Sequence, residues 1–80
     1  MRVVAEIPHT NLKITVFAWN GKYLLKLEKG MYEQTYKISE MDVIGDDDIK
    51  ALATDSIFVN NAIERFIDMN KGLNEALNRI

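Results

Sequence analysis

The chain has 80 residues, a net charge of -2, 48% hydrophobic residues and 28% charged ones, a balance ordinary for a globular protein that argues against a disordered chain. With no cysteine and a single histidine, it has neither a disulfide framework nor the ligand spacing of a structural zinc site. Folding at this size removes only ~60% of the surface exposed by the unfolded chain, so association is the remaining support for a thin core and a homodimer is expected.

The longest uninterrupted apolar stretch, Val16 to Trp19, is far short of the ~20 residues of a membrane-spanning helix. The N-terminus also lacks a basic-then-apolar leader pattern. These features predict a cytoplasmic chain with no membrane partner. Charge is uneven: residues 1–41 hold six Lys/Arg and four Asp/Glu, residues 42–80 four and eight. The front is mildly basic and the back acidic.

Taken in chain order, the first turn signal is Pro8-His9-Thr10-Asn11, read as a four-residue loop. Closing it pairs Ile7 with Leu12, Ala5 with Ile14 and Val3 with Val16 on one face. Arg2 then lies beside Phe17, Val4 beside Thr15 and Glu6 beside Lys13 on the other. Asn20-Gly21 is the preferred central pair of a type I′ hairpin. It pairs Ala18 with Tyr23, Val16 with Leu25 and Ile14 with Leu27 on the apolar face. The mixed face receives Trp19 with Lys22, Phe17 with Leu24, Thr15 with Lys26 and Lys13 with Glu28. Gly30 marks a third reversal, after which Tyr32, Gln34, Tyr36 and Ile38 share the packed face. A two-residue loop at Lys29-Gly30 and a four-residue loop both keep that parity.

Gly45 followed by the acids Asp46, Asp47 and Asp48 reads as a helix start, with carboxylates at the positive end of the helix dipole, and predicts a short helical turn over about Asp47 to Ala53. Thr54, Asp55 and Ser56 offer a second cap. From Ile57 onward Phe58, Ala62, Phe66, Met69, Leu73, Ala76, Leu77 and Ile80 recur at helical spacing, and Val59, Ile63 and Ile67 widen the stripe. The pattern passes through Gly72 without a break, predicting one long helix that carries a glycine at a cost of ~1 kcal/mol. The fold class expected is α+β: one domain, a four-stranded antiparallel meander over residues 1–40 and a helical part over 46–80, with the long helix on one face.

Chemistry is poorly represented. His9 stands in a loop without a second histidine or a cysteine to complete a catalytic or metal constellation. The three aspartates lack the alternating ligands and closing glutamate of a calcium loop. The four glycines stand singly, so no phosphate-cradling loop is present. No enzymatic activity, catalytic residue, metal or cofactor is expected.

Two surfaces remain. The predicted registers gather Arg2, Phe17, Trp19, Lys22 and Lys37 at one end of the mixed face, where cations beside exposed rings suit single-stranded nucleic acid or a protein partner. The helix stripe of Phe58, Ala62, Phe66, Met69, Leu73 and Leu77 spans a wider arc than one sheet face needs, which makes it a candidate for self-association. The segment from Phe17 through Asn20-Gly21-Lys22 to Lys37, with the C-terminal helix, resembles small conserved bacterial proteins of unknown function. Asn20-Gly21-Lys22 before an alternating strand, and Lys37-Ile38-Ser39 before the helix, are also similar to the transcriptional positive-cofactor-four family. That resemblance implies a dimer that binds single-stranded DNA on a basic, curved sheet. The reading that follows from the residues is a non-enzymatic, self-associating interaction module, with single-stranded nucleic-acid binding as the alternative.

Overall fold

The structure, a computed structural model, describes all 80 residues. Four strands, β1 (Arg2–Ile7), β2 (Lys13–Trp19), β3 (Lys22–Lys29) and β4 (Tyr32–Ser39), are followed by a 3-10 turn at Glu40–Asp42 and two helices, α1 (Gly45–Ala53) and α2 (Ser56–Leu77). The strands form one antiparallel sheet in the order β1-β2-β3-β4, and the helices lie against one of its faces. This is the α+β meander and long terminal helix expected from the sequence.

The central hairpin is the best-specified part. Asn20 and Gly21 both have positive φ, 51° and 73°, which a type I′ turn requires at both central positions. Every pair from Lys13 with Glu28 to Trp19 with Lys22 is in the predicted register. The alternation therefore sends Ile14, Val16, Tyr23, Leu25 and Leu27 into the core, all buried. The third reversal closes on a two-residue loop at Gly30-Met31, one position past the expected Lys29-Gly30, with Lys29 opposite Tyr32 and Glu28 opposite Glu33, and the expected parity holds. Gly30 supplies the positive φ of 59°. Tyr32, Gln34, Tyr36 and Ile38 line the packed face as predicted.

The first hairpin differs from expectation. Ile7 pairs with Ile14 and Ala5 with Val16, and the ladder then slips at a bulge so that Val3 faces Phe17 and Arg2 faces Ala18. Two residues cause the change. Leu12 is buried outside the strand, where it closes one end of the core in place of pairing with Ile7. Val4 is the extra residue of the bulge, which reverses the side-chain parity beyond it and packs on the core. Arg2 consequently leaves the mixed face and stands on the helix side of the sheet.

That position is held by charge. The Arg2 guanidinium donates to both carboxylate oxygens of Asp46, at 3.1 and 3.4 Å, and the Tyr23 hydroxyl donates to the same carboxylate at 2.7 Å. Asp46 opens α1 beside the positive end of the helix dipole, so one acid joins β1, β3 and α1. Asp48 accepts from the Ile44 N–H at 2.8 Å, satisfying an amide just before the helix. The short helix thus begins at Gly45, slightly earlier than predicted.

α2 starts where the capping residues place it, with the Phe58 N–H donating to the Asp55 side chain at 2.9 Å. Val59, Ala62 and Phe66 are buried with Ile49 and Ala53 of α1, so the two helices and the sheet share one core. A polar clamp fixes α2 on β4. Gln34 donates to the Ala62 carbonyl at 2.8 Å while accepting from the Tyr36 hydroxyl at 2.6 Å, and Arg65 reaches that hydroxyl at 3.4 Å. Phe58 meets the Tyr36 ring edge-on at 5.2 Å, a favourable aromatic geometry.

Candidate functional site

The face of the sheet opposite the helices is uncovered. Across it run two rows: Val3, Phe17, Leu24 and Lys37, then Trp19, Lys22 and Ser39. Phe17, Trp19, Lys22 and Lys37 are therefore brought together as the sequence predicts, and Arg2 is not, because the Val4 bulge turns it to the other side. Trp19 is 48% and Val3 55% exposed, while Phe17 and Leu24 are half-buried. Lys22 and Lys37 form no ion pair. Further down the face, Lys26 lies 3.9 Å from Glu28 and 3.4 Å from Glu33. One end of the face is thus basic and aromatic, and the other is internally neutralised. Thr15 is buried although it belongs to this side; its lateral neighbours are Glu6 and Lys26, whose long side chains can fold over a short one.

The helix stripe divides in two. Ala62 and Phe66 are sealed against the sheet, and Phe58 and Met69 are half-buried at its margin. These four therefore serve mainly the chain's own core. Leu73 and Leu77 are 48% and 52% exposed, and Ile80 beyond them is 99% exposed. The last side-chain tie from α2 to the sheet is the Tyr32 hydroxyl donating to Asn70 Oδ1 at 3.0 Å. From Lys71 to Ile80 every residue is exposed except half-buried Ala76. The helix thus extends past its support as an arm.

Where the arm leaves the sheet there is an apolar groove of about 460 Å³. Lys29, Gly30, Met31 and Tyr32 of the β3–β4 turn form one wall, and Phe66, Ile67 and Asn70 of α2 form the other. Met31 at its rim is fully exposed. The sequence reading missed this groove. Its signal is the Gly30 turn, which places Met31 at the hairpin tip, but only the packing of α2 brings Ile67 beside it.

The titratable groups with shifted pKa values meet at one point, where Arg2, Tyr23 and Asp46 are in contact. The Asp46 carboxyl is held below the usual carboxylate range, first by the hydrogen bond from Arg2 and then by that from Tyr23. The same carboxylate raises the pKa values of Tyr23 and Arg2. These three groups satisfy one another. His9 accepts from the Asn11 N–H through Nδ1 at 3.1 Å, a local loop contact. No three His, Asp or Glu side chains converge on a common point, and no helix is long and apolar enough to cross a membrane. Comparison of the chain with known protein families, curated proteins and solved structures finds no match.

Proposed function

We propose that the chain is a non-enzymatic interaction module that associates with itself through the exposed end of α2. The observation that carries this reading is the continuation of the core stripe beyond the sheet, with Leu73, Leu77 and Ile80 presented to water. Apolar side chains grouped on one exposed surface mark association more often than a solvated face. The small core supports the same view, since a chain of this size gains stability from a partner. Light scattering behind size-exclusion chromatography tests it: a mass twice that of the 9.2 kDa chain at high concentration, falling on dilution, is the expected result. A single-chain mass throughout overturns the reading.

A second reading draws on the open sheet face, where Trp19 stands beside Lys22 and the Phe17-to-Lys37 row lies next to it. Single-stranded nucleic acid would stack on the rings and place phosphate by the lysines. Diversion of Arg2 to Asp46 removes one of the five groups that the reading began with, and the net charge of -2 works against phosphate. The likeness to the positive-cofactor-four family supports it through strand order and turn alone. Titration of a fluorescent oligothymidine at low salt decides the matter. Salt-sensitive binding that Trp19→Ala weakens by ~1–3 kcal/mol would favour this reading, and no binding would remove it.

A further inference from the structure

The apolar steps along α2 alternate three and four residues from Val59 to Ala76, and Ile80, three residues past the helix end, continues the spacing, the pattern of a helix that packs along its whole length. The sheet covers the inner half of that seam, through Phe66. The outer half, with Leu73 48% exposed and Ala76 half-buried, runs beyond the last side-chain tie to the sheet at Asn70. We propose that this arm pairs with the same arm of a second copy, the two helices antiparallel, and that the Ile80 end of each approaches the groove at the partner's β3–β4 turn. The inference rests on the self-association proposed above and gives it a geometry.

The charges select the occupant. Asp68 stands on α2 just before the arm and Arg79 in the turn just past the end of α2, with Lys71 and Glu75 between them. None of the four belongs to an ion pair within the chain, and together they are neutral. A strongly acidic or basic partner, including a phosphate backbone or an anionic membrane surface, finds no net charge to complement. A second copy does. Antiparallel pairing sets Arg79 of each chain near Asp68 of the other, twice, whereas parallel pairing sets like charges side by side. Opposed helix dipoles favour the same orientation.

The lengths agree as well. Placing Ile80 opposite the partner's Met69 puts Leu73 opposite the partner's Ala76, which keeps the apolar positions in alternating layers. The helical parts of the arms, which end at Leu77, then overlap from Gly72 to Leu77, roughly 8 Å at 1.5 Å per residue, and the turn beyond each lies beside the groove formed by Met31, Tyr32, Phe66 and Ile67. The two sheets lie at opposite ends of the pair, so neither obstructs the other arm. An overlap this short buries less than the ~800 Å² per partner of a standard interface, which makes the pairing weak and concentration-dependent.

Sedimentation velocity over a concentration series, on the wild-type chain and four variants, tests the geometry. Asp68, Leu73 and Arg79 are exposed, and circular dichroism confirms that each variant folds. Asp68→Arg and Arg79→Asp should each weaken the dimer about 10-fold, because each sets like charges together at both ends of the pair. The double variant D68R/R79D should recover wild-type affinity. Leu73→Asp should abolish pairing. A wild-type chain that stays single at ~500 μM, where a pairing with a dissociation constant of about 100 μM would be largely formed, overturns both this geometry and self-association itself. A wild-type dimer unaffected by Leu73→Asp overturns the arm and leaves self-association to another surface. Single charge reversals that weaken the dimer without recovery in D68R/R79D overturn the antiparallel pairing.

Discussion

Arg2 and Asp46 are separated by 44 positions in the chain and meet at 3.1 Å, fastening the first strand to the start of the first helix. The contact has a defined pH dependence. Asp46 has a lower pKa in the folded chain than an unconstrained aspartate, whose value is ~3.9. The stabilisation it brings is therefore present above that value and lost as pH falls through the lower folded one. At the alkaline end Tyr23 has the opposite linkage. Its pKa is raised, so its contribution holds below the ordinary tyrosine value of ~10 and is lost as pH rises through the folded value. Thermal unfolding of Asp46→Asn against wild type should show a lower melting temperature at neutral pH, with the difference closing in acid below about pH 4. A difference that persists unchanged at strongly acidic pH would refute the assignment.

Leu25 is fully buried at the centre of the sheet, opposite Val16. Leu25→Ala should cost ~2–4 kcal/mol in urea unfolding, and Val16→Ala somewhat less, because a small core has few neighbours able to close the cavity. A loss below ~1 kcal/mol for the leucine would mean that the core collapses around the gap.

Gln34 both donates to the Ala62 carbonyl and accepts from the Tyr36 hydroxyl. Gln34→Ala should lower stability by ~1–2 kcal/mol through the loss of these bonds. Gln34→Glu should cost more at neutral pH, because it turns a carboxylate toward a carbonyl oxygen. Lowering the pH far enough to protonate that glutamate should recover part of the loss. Equal stabilities for the two variants across pH would show that the amide does not hold α2.

Two glycines predict opposite outcomes. Gly21 has a φ of 73° in the central turn with open space around it, so Gly21→Ala meets only backbone strain, ~1–2 kcal/mol. Gly72 lies inside α2, also with nothing near the position of an added methyl. Gly72→Ala should therefore raise helix stability by up to ~1 kcal/mol. Chemical unfolding at low protein concentration compares both changes without a contribution from association.

The parts of the fold legible in the sequence are those fixed by neighbours in the chain. Asn20-Gly21 dictates a turn, the turn dictates a register, and alternation then assigns each side chain of β2 and β3 to a face. β1 could not be read in this way. Val3, Val4 and Ala5 are all apolar, so their order does not reveal where the ladder slips, and Arg2 is drawn to its face by Asp46 from a distant helix. The basic aromatic end was visible in Trp19, Lys22 and Lys37, but its fifth member was misplaced by that one extra residue. On α2 the periodicity correctly marked the apolar face. It could not mark where the sheet stops supporting the helix, since Phe66 and Leu73 occupy equivalent positions in the repeat and only one is buried.

The Val4 bulge also affects what can join the sheet. β1 is one of the sheet's two edge strands, β4 being the other, and a regular edge offers a row of evenly spaced amides and carbonyls on which another molecule can extend the ladder. An inserted residue breaks that row partway along a strand of only six residues, leaving short aligned stretches on either side. Strand addition propagates without limit, because each added strand exposes a new edge. A twofold helix pair closes after two chains, so the interrupted edge restrains strand addition on the β1 side of the sheet while leaving the arm free to form a finite assembly.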